Sequence, residues 1–400
     1  MRRRALVAAT LALLSMSAAR AELDASLDLR LVASNGRNTF LDGGFGKLRF
    51  DADDDGVQLG RARIAWRGSP GGNWHASVDV SAWSLDDHNV VDVTEAWVEW
   101  RPVPESAWRS NLKIGAFYPP ISLEHRAPGW TNPYTISSSA LNTWIGEEFR
   151  TIGVAYGIDH LGIAAGGRFD LGAEAAVFGW NDPAGVVIAL RGFALHDRQT
   201  PLFGRIGTYA FGGLTERVIF SEIDDRAGYH ASVYARHDSG IELRALHYDN
   251  RGDPAAAKPS IEDYAWDTRF DTLGLRYDGP GGATVIAQWL RGGTDVGPNA
   301  HDRWRFETAF VLLARQFGSH RLAARYDDFR TRQTITIFGG PLGREHGDAV
   351  ALAWNWSVNS HVDVIAEWLQ IHSRYNKRAA LGEPPEAREH SLQLALRLSL

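Results

Sequence analysis

The stretch that decides the fold is Arg109–Tyr156, RSNLKIGAFYPPISLEHRAPGWTNPYTISSSALNTWIGEEFRTIGVAY. Both of its ends alternate. Leu112, Ile114 and Ala116 share one face against Lys113, Gly115 and Phe117, and Ile152, Val154 and Tyr156 oppose Thr151, Gly153 and Ala155. Period-two patterning on each side predicts two strands. Between them lie Pro119, Pro120, Pro128 and Pro133, the serines 137–139, and a mixture of Glu, His and Arg. The prolines stiffen this connection. A loop this long is uncommon within a compact domain and is usually functional or disordered. In a closed β-barrel its natural place is folded inward, which makes 119–149 the candidate constriction of a lumen.

The same rhythm extends outward along the chain. Leu23, Ala25, Leu27, Leu29 and Leu31 alternate with Asp24, Ser26, Asp28 and Arg30. VQLGRARIAWRG is read with Gly60, Ala62, Ile64 and Trp66 outward and Arg61, Arg63 and Arg67 inward. Hairpins are predicted across short turns at 69–73, 102–107, 237–240, 278–282, 317–320 and 357–361, and longer loops separate one hairpin from the next. Residues 181–227, with a hairpin-like VVIALRGFALHD and a Gly-rich run at 204–213, read as a second long external loop. The count is about 16 strands, an even number. With short turns at one end and long loops at the other, this is the pattern of an outer-membrane barrel. Closure would pair the first strand with the last and leave no edge in lipid. Trp66 and Trp74, Trp100 and Trp108, and Trp354 and Trp356 fall beside short turns, where interfacial aromatic girdles sit. The fold class is therefore all-β, a transmembrane antiparallel barrel over 22–400.

Composition agrees. Residues 1–21 read as a secretory signal peptide: Arg2–Arg4, an apolar core from Ala5 to Leu14, and Ala19-Arg20-Ala21 before a cleavage site. Removing it lowers the 42 basic residues to 38 against 48 acidic ones, a net charge of about −10. That balance argues against nucleic acid as a partner. The chain has no cysteine, 15 tryptophans and 41 glycines. An exported chain without disulfides must hold itself by packing and hydrogen bonding.

The sequence has no G-x-S-x-G, H-E-x-x-H or P-loop pattern, and its 14 histidines do not fall at metal-ligand spacing. Neither enzyme chemistry, nor a cofactor, nor a metal site is expected. Glu147-Glu148 are adjacent and on extended backbone would point apart, which suits acid/base work poorly. The inward faces carry the functional signal. Strand parity places Arg61, Arg63, Arg67, Arg101, Lys113, Arg236, Arg244, Arg321 and Arg325 toward the lumen. The loop offers Glu124, His125, Arg126, Glu147 and Glu148. Opposed basic and acidic groups across a lumen make a transverse field that orders water and selects ions. Arg150 has the parity of lipid-facing Ile152, so it is expected above the membrane band or bent into the loop.

The run AWVEWRPVPESAWRSNLKIGAFYPPISLE, followed by the long loop and FRTIGVAYG, resembles the phosphate-selective porin O/P family of bacterial outer-membrane porins. The resemblance rests on Lys113, Gly115, Phe117, Pro120, Leu123 and Glu124, then Arg150, Ile152, Gly153 and Val154. It implies a 16-stranded homotrimeric porin with an inward loop, passive diffusion of small hydrophilic solutes or ions, and a preference for anions or phosphate. Its partners would be small anionic or neutral solutes, outer-membrane lipid and lipopolysaccharide. Three alternatives remain: an energy-coupled receptor, a secreted β-protein that binds or hydrolyses a glycan or lipid, and a barrel enzyme. Two features depart from the family: the loop has no Lys/Arg cluster, and the last residue is Leu400 rather than Phe or Trp.

Overall fold

A computed structural model describes residues 21–83, 91–146, 148–210, 213–258, 263–336 and 341–400. Its first seven strands are β1 (Ala21–Ser34), β2 (Gly56–Gly71), β3 (Trp74–Ala82), β4 (Val91–Trp100), β5 (Trp108–Phe117), β6 (Thr151–His160) and β7 (Phe169–Phe178). A small hairpin, β8 (Arg205–Ala210) with β9 (Gly213–Val218), precedes β10 (Gly228–His237) and β11 (Ile241–Asp249). A second, β12 (Ala257–Lys258) with β13 (Asp263–Tyr264), precedes β14 (Trp266–Gly279). The rest are β15 (Ala283–Val296), β16 (Asp302–Phe317), β17 (His320–Ile335), β18 (Arg344–Asn359), β19 (Val362–Tyr375) and β20 (Glu386–Ser399).

Apart from the two small hairpins, these strands form one closed antiparallel barrel of 16, in chain order. The first and last seal it: Leu27 pairs with Leu398, Leu29 with Leu396 and Leu31 with Leu394. Closure satisfies the backbone groups that an edge would leave unpaired in lipid. The expected fold and strand count are what the structure shows. One bulge is visible where β1 meets β2: Asp28 faces Arg61 and Leu29 faces Leu59, so Gly60 has no partner. A Cβ there would run into the guanidinium of Arg30, and glycine leaves that space open.

Alternation along each strand sorts the side chains. On β20, Leu392, Leu394, Leu396 and Leu398 are exposed while Ser391, Gln393 and Ala395 are buried. Val311, Leu313, Leu322, Tyr326 and Leu352 continue the outward apolar belt. A belt of this kind is mismatched to water and matched to hydrocarbon. Exposed Trp74, Trp108, Trp354 and Trp356 rim it at the short-turn end. Toward the long-loop end the outward positions turn charged, as in Arg330–Glu307 and Arg374–Glu386. Among the described residues no helix is long and apolar enough to cross a membrane, which says nothing about crossing with strands.

The largest apolar cluster lies inside the barrel. It joins inward strand residues such as Phe270, Phe306 and Phe329 to residues of three segments from the long-loop end: 35–55, 118–150 and 179–206. Much of 181–227 is thus not external. Val186–Ala189, Phe193 and Leu195 are buried. The VVIALRGFALHD stretch is also not a hairpin. It opens with a short helix, α1 (Val186–Arg191), flanked by Gly185 at φ +84° and Gly192 at φ +74°. The barrel is already closed, so no strand is free to pair with it. A helical turn satisfies its peptide groups locally, with Ala189 N–H donating to Gly185 O and Gly192 N–H to Ile188 O.

Candidate functional site in the lumen

The loop between β5 and β6 crosses the lumen to the opposite wall. It leaves β5 at Tyr118 and reaches β17 and β19, half the barrel away. Every stage of the crossing is hydrogen-bonded. Gln288 of β15 accepts from Leu123 N–H at 2.8 Å and donates to Ile121 O at 2.8 Å. Arg321 of β17 donates to Pro133 O at 2.7 Å, and Asn355 of β18 donates to Tyr134 O at 2.9 Å. Glu367 of β19 accepts from the N–H groups of Ile136 and Ser137. Asp327 accepts from Ala140 N–H at 3.0 Å. Arg325 donates to Thr135 Oγ1, Ser137 O and Ser138 O. A buried backbone needs such partners, because water cannot supply them.

Glu124 is the internal knot of this loop. Fully buried, it accepts from Asn132 Nδ2, Ser139 N and Oγ, and Asn142 Nδ2 at 2.6–3.0 Å. Arg325 lies 3.8 Å away. Neither Glu124 nor Arg325 presents its charge to solvent; together they fix the shape of the loop. His125 is buried against Ser138 Oγ, and burial, with Arg325, Arg150 and Arg61 nearby, pulls its pKa down to about 3. It is therefore a neutral packing group. Glu148 is fully buried and burial pushes its carboxyl up to about 8. Glu147 lies outside the described residues.

The Arg61–Arg63–Arg67 stripe is paired along the wall. Arg63 contacts Asp79 at 2.6 Å and Asp24 at 2.8 Å, and Arg67 reaches Asp24 at 3.5 Å. Arg61 donates to Ser81 Oγ and to Gly129 O of the inward loop. Arg61 and Arg63 are buried; Arg67 is open to the lumen. Lys113 sits 4.6 Å from the Trp97 ring and 4.0 Å from Glu99, which also pairs with Arg101. Arg126, Arg236 and Arg244 converge on Glu242.

These pairs share an asymmetry. The side chain of Arg101 is 47% exposed and that of Glu99 8%. Arg236 is 44% exposed and Glu242 4%; Arg67 is 39% and Asp24 17%. Arg109, Lys113, Arg126, Arg244 and Arg397 are likewise more exposed than their acids. Arg276 with Asp278, Arg63 with Asp24, and Arg30 and Arg49 with Asp197 run the other way. In the former group the carboxylates are recessed in the wall and the cationic heads stand in front of them. Low-dielectric walls focus the nearest charge into the lumen, and screening extends over about 8–10 Å, so beside these pairs the positive ends act on the lumen first.

Toward the long-loop end the inner wall is covered. Arg150 bends into the loop: its guanidinium stacks 3.3 Å from the Tyr118 ring centroid and donates to Thr94 O and Thr200 O. Phe149 packs on Tyr248, which stacks on Phe270. Phe40, Trp144 and His196, one from each inward segment, form a single ring cluster. Lys47 pairs with Glu345 of β18, and Arg30 and Arg49 both grip Asp197. Burial, opposed by these arginines, leaves Asp197 held well below the usual carboxylate range. Among the described residues, one group has metal-ligand geometry: oxygens of Asp182, Glu222 and Asp224 lie within 4.8 Å of one another.

Sequence parity found the inward arginines. It could not find what holds the loop, because Gln288, Asn355 and Tyr134 carry no charge signal. Nor could it show that residues 186–203 share the lumen, since an apolar run in a long loop has no period to place it.

The structure thus defines a class: a closed 16-stranded barrel with inward-folded loops. No family model matches the sequence, and no curated protein does. Solved structures do match. The outer membrane channel DcaP of Acinetobacter baumannii superposes with a TM-score of 0.56 at 10% identity, over 96% of this chain and 99% of that one. An anion-selective porin from Comamonas acidovorans gives 0.51 at 10%, over 95% and 99%. OmpT of Vibrio cholerae, an outer membrane protein in a trimer form, gives 0.53 at 10%, over 96% and 100%. At these identities the likeness is one of fold.

Proposed function

We propose that this barrel is a passive channel of the bacterial outer membrane that admits small hydrophilic solutes and favours anions. The observation that carries the reading is the exposure asymmetry of the wall pairs. In a chain with more acids than bases, most of these wall pairs present the base to the lumen. The inward loop 119–149 sets the narrowest passage, and Lys113, Arg126, Arg236 and Arg244 stand on its short-turn side. Export through the leader 1–21, an outer face against lipid and lipopolysaccharide, and a homotrimer complete the proposal. The last is supported by the trimer form of Vibrio cholerae OmpT. Phosphate as the particular solute rests on the family resemblance alone.

Single-channel recording in a planar bilayer under a salt gradient tests this. Stable ohmic steps with a reversal potential on the anion side are expected. A cation-side potential would remove the anion preference, and no steps from correctly folded barrels would overturn the channel.

A further inference from the structure

The carboxylate of Glu242 is almost fully buried and receives three guanidinium groups from three elements. Arg126 of the inward loop and Arg244 of β11 donate to Oε1 at 2.9 and 3.1 Å, and Arg236 of β10 donates to Oε2 at 3.0 Å. Asp170, paired with Arg236 across β7 and β10, and Glu174, which acts on Arg244, stand further off and accept no hydrogen bond from the cluster. Each arginine contributes a single Nη2–H to Glu242, Arg236 and Arg244 lie over the Tyr234 ring, and the buried Nε of Arg244 has no hydrogen-bond partner. All three heads are partly open to the lumen. Arg276 stands close enough to Arg126 to act on its charge. Gathering like charges around one acid is costly unless a further anion shares them.

We propose that Arg126, Arg236 and Arg244 form a binding site for a small oxyanion. The site lies on the short-turn side of the inward loop. Planar forks suit the oxygens of carboxylate, sulfate or phosphate groups. A halide has no oxygens with which to span three forks. The inference rests on the channel reading for how the ion arrives, and it names the class of solute held there.

The test is isothermal titration of the folded, detergent-solubilised barrel with sodium sulfate at constant sodium chloride. Wild type is compared with R126Q/R236Q, with R244Q in case the double variant does not fold, and with R388Q on the outer face as control. Saturable binding of one sulfate per chain is expected, weakened at least tenfold in R126Q/R236Q and R244Q and unchanged in R388Q. No saturable binding in wild type, or equal affinity in all variants, would overturn the site. Conductance of the same preparations separates the two claims. Anion-selective steps without sulfate binding remove the site and leave the channel; sulfate binding without conductance does the reverse.

Discussion

Arg325 of β17 donates to the carbonyl of Ser137 at 2.6 Å although the two residues are 188 positions apart. The bond joins the inward loop to the wall opposite its own strands. With Asp327, Glu367 and Glu124 it makes a fully buried polar network in which one guanidinium meets three carboxylates, whose other hydrogen bonds come from loop N–H groups. A lumen crossed this way is not spanned by a mobile flap. The crossing is held by the same kind of bonds that hold the barrel.

R325M should detach the crossing. Breaking a buried charged network from one side costs about 3–5 kcal/mol, because the remaining acids are left uncompensated. Thermal unfolding in detergent should fall accordingly, and single-channel steps should become larger and noisier. Steps of wild-type size and noise would show that the loop is held elsewhere.

Charge recession makes a selectivity prediction. Substituting the exposed partner, as in R67Q, R101Q or K113Q, should move the reversal potential toward cations. D24N, removing a recessed acid, should move it toward anions. Each shift should shrink in high salt as screening shortens. Equal shifts in the same direction for both kinds of variant would contradict the exposure argument.

Glu148 supplies a pH dependence. Burial raises its carboxyl from an ordinary value near 4.5 to about 8, so the folded chain holds a proton that the unfolded chain releases. Its stability contribution is full below about pH 4.5 and is lost as pH rises to about 8. Asp182, raised to about 7 by burial and by Asp224 and Glu222, adds a loss of the same sign. E148Q should flatten part of this slope in melting curves taken from pH 5 to 9. An unchanged slope would mean the acid titrates normally.

Gly185 holds a left-handed conformation at φ +84°, and a Cβ there would collide with the hydroxyls of Thr268 and Thr294. G185A should therefore cost roughly 1–3 kcal/mol through backbone strain and displace α1 from the wall. Melting of the folded barrel measures this. G382A, at a glycine of similar φ (+73°) with open space around it, measures the backbone strain without the collision.

The sequence by itself determined the barrel. Period-two alternation, short turns against long loops, tryptophans at strand ends, and Leu392–Leu398 matching Leu27–Leu31 leave one arrangement in which each apolar face meets lipid and no edge remains. Parity also placed Arg236, Arg244 and Arg325 inside, since a strand in register has no freedom about which face a residue takes. Tertiary structure alone decided how those charges are used. Whether Arg325 locks a loop or lines a passage depends on which loop carbonyls come within 3 Å of it. Whether Glu124 is a pore charge or an internal knot depends on Asn132, Ser139 and Asn142 closing around it. Loops carry no period, and hydrogen-bond partners more than a hundred residues apart leave no local mark. Where the inward segments went, and so which arginines still face water, was settled only when the barrel closed around them.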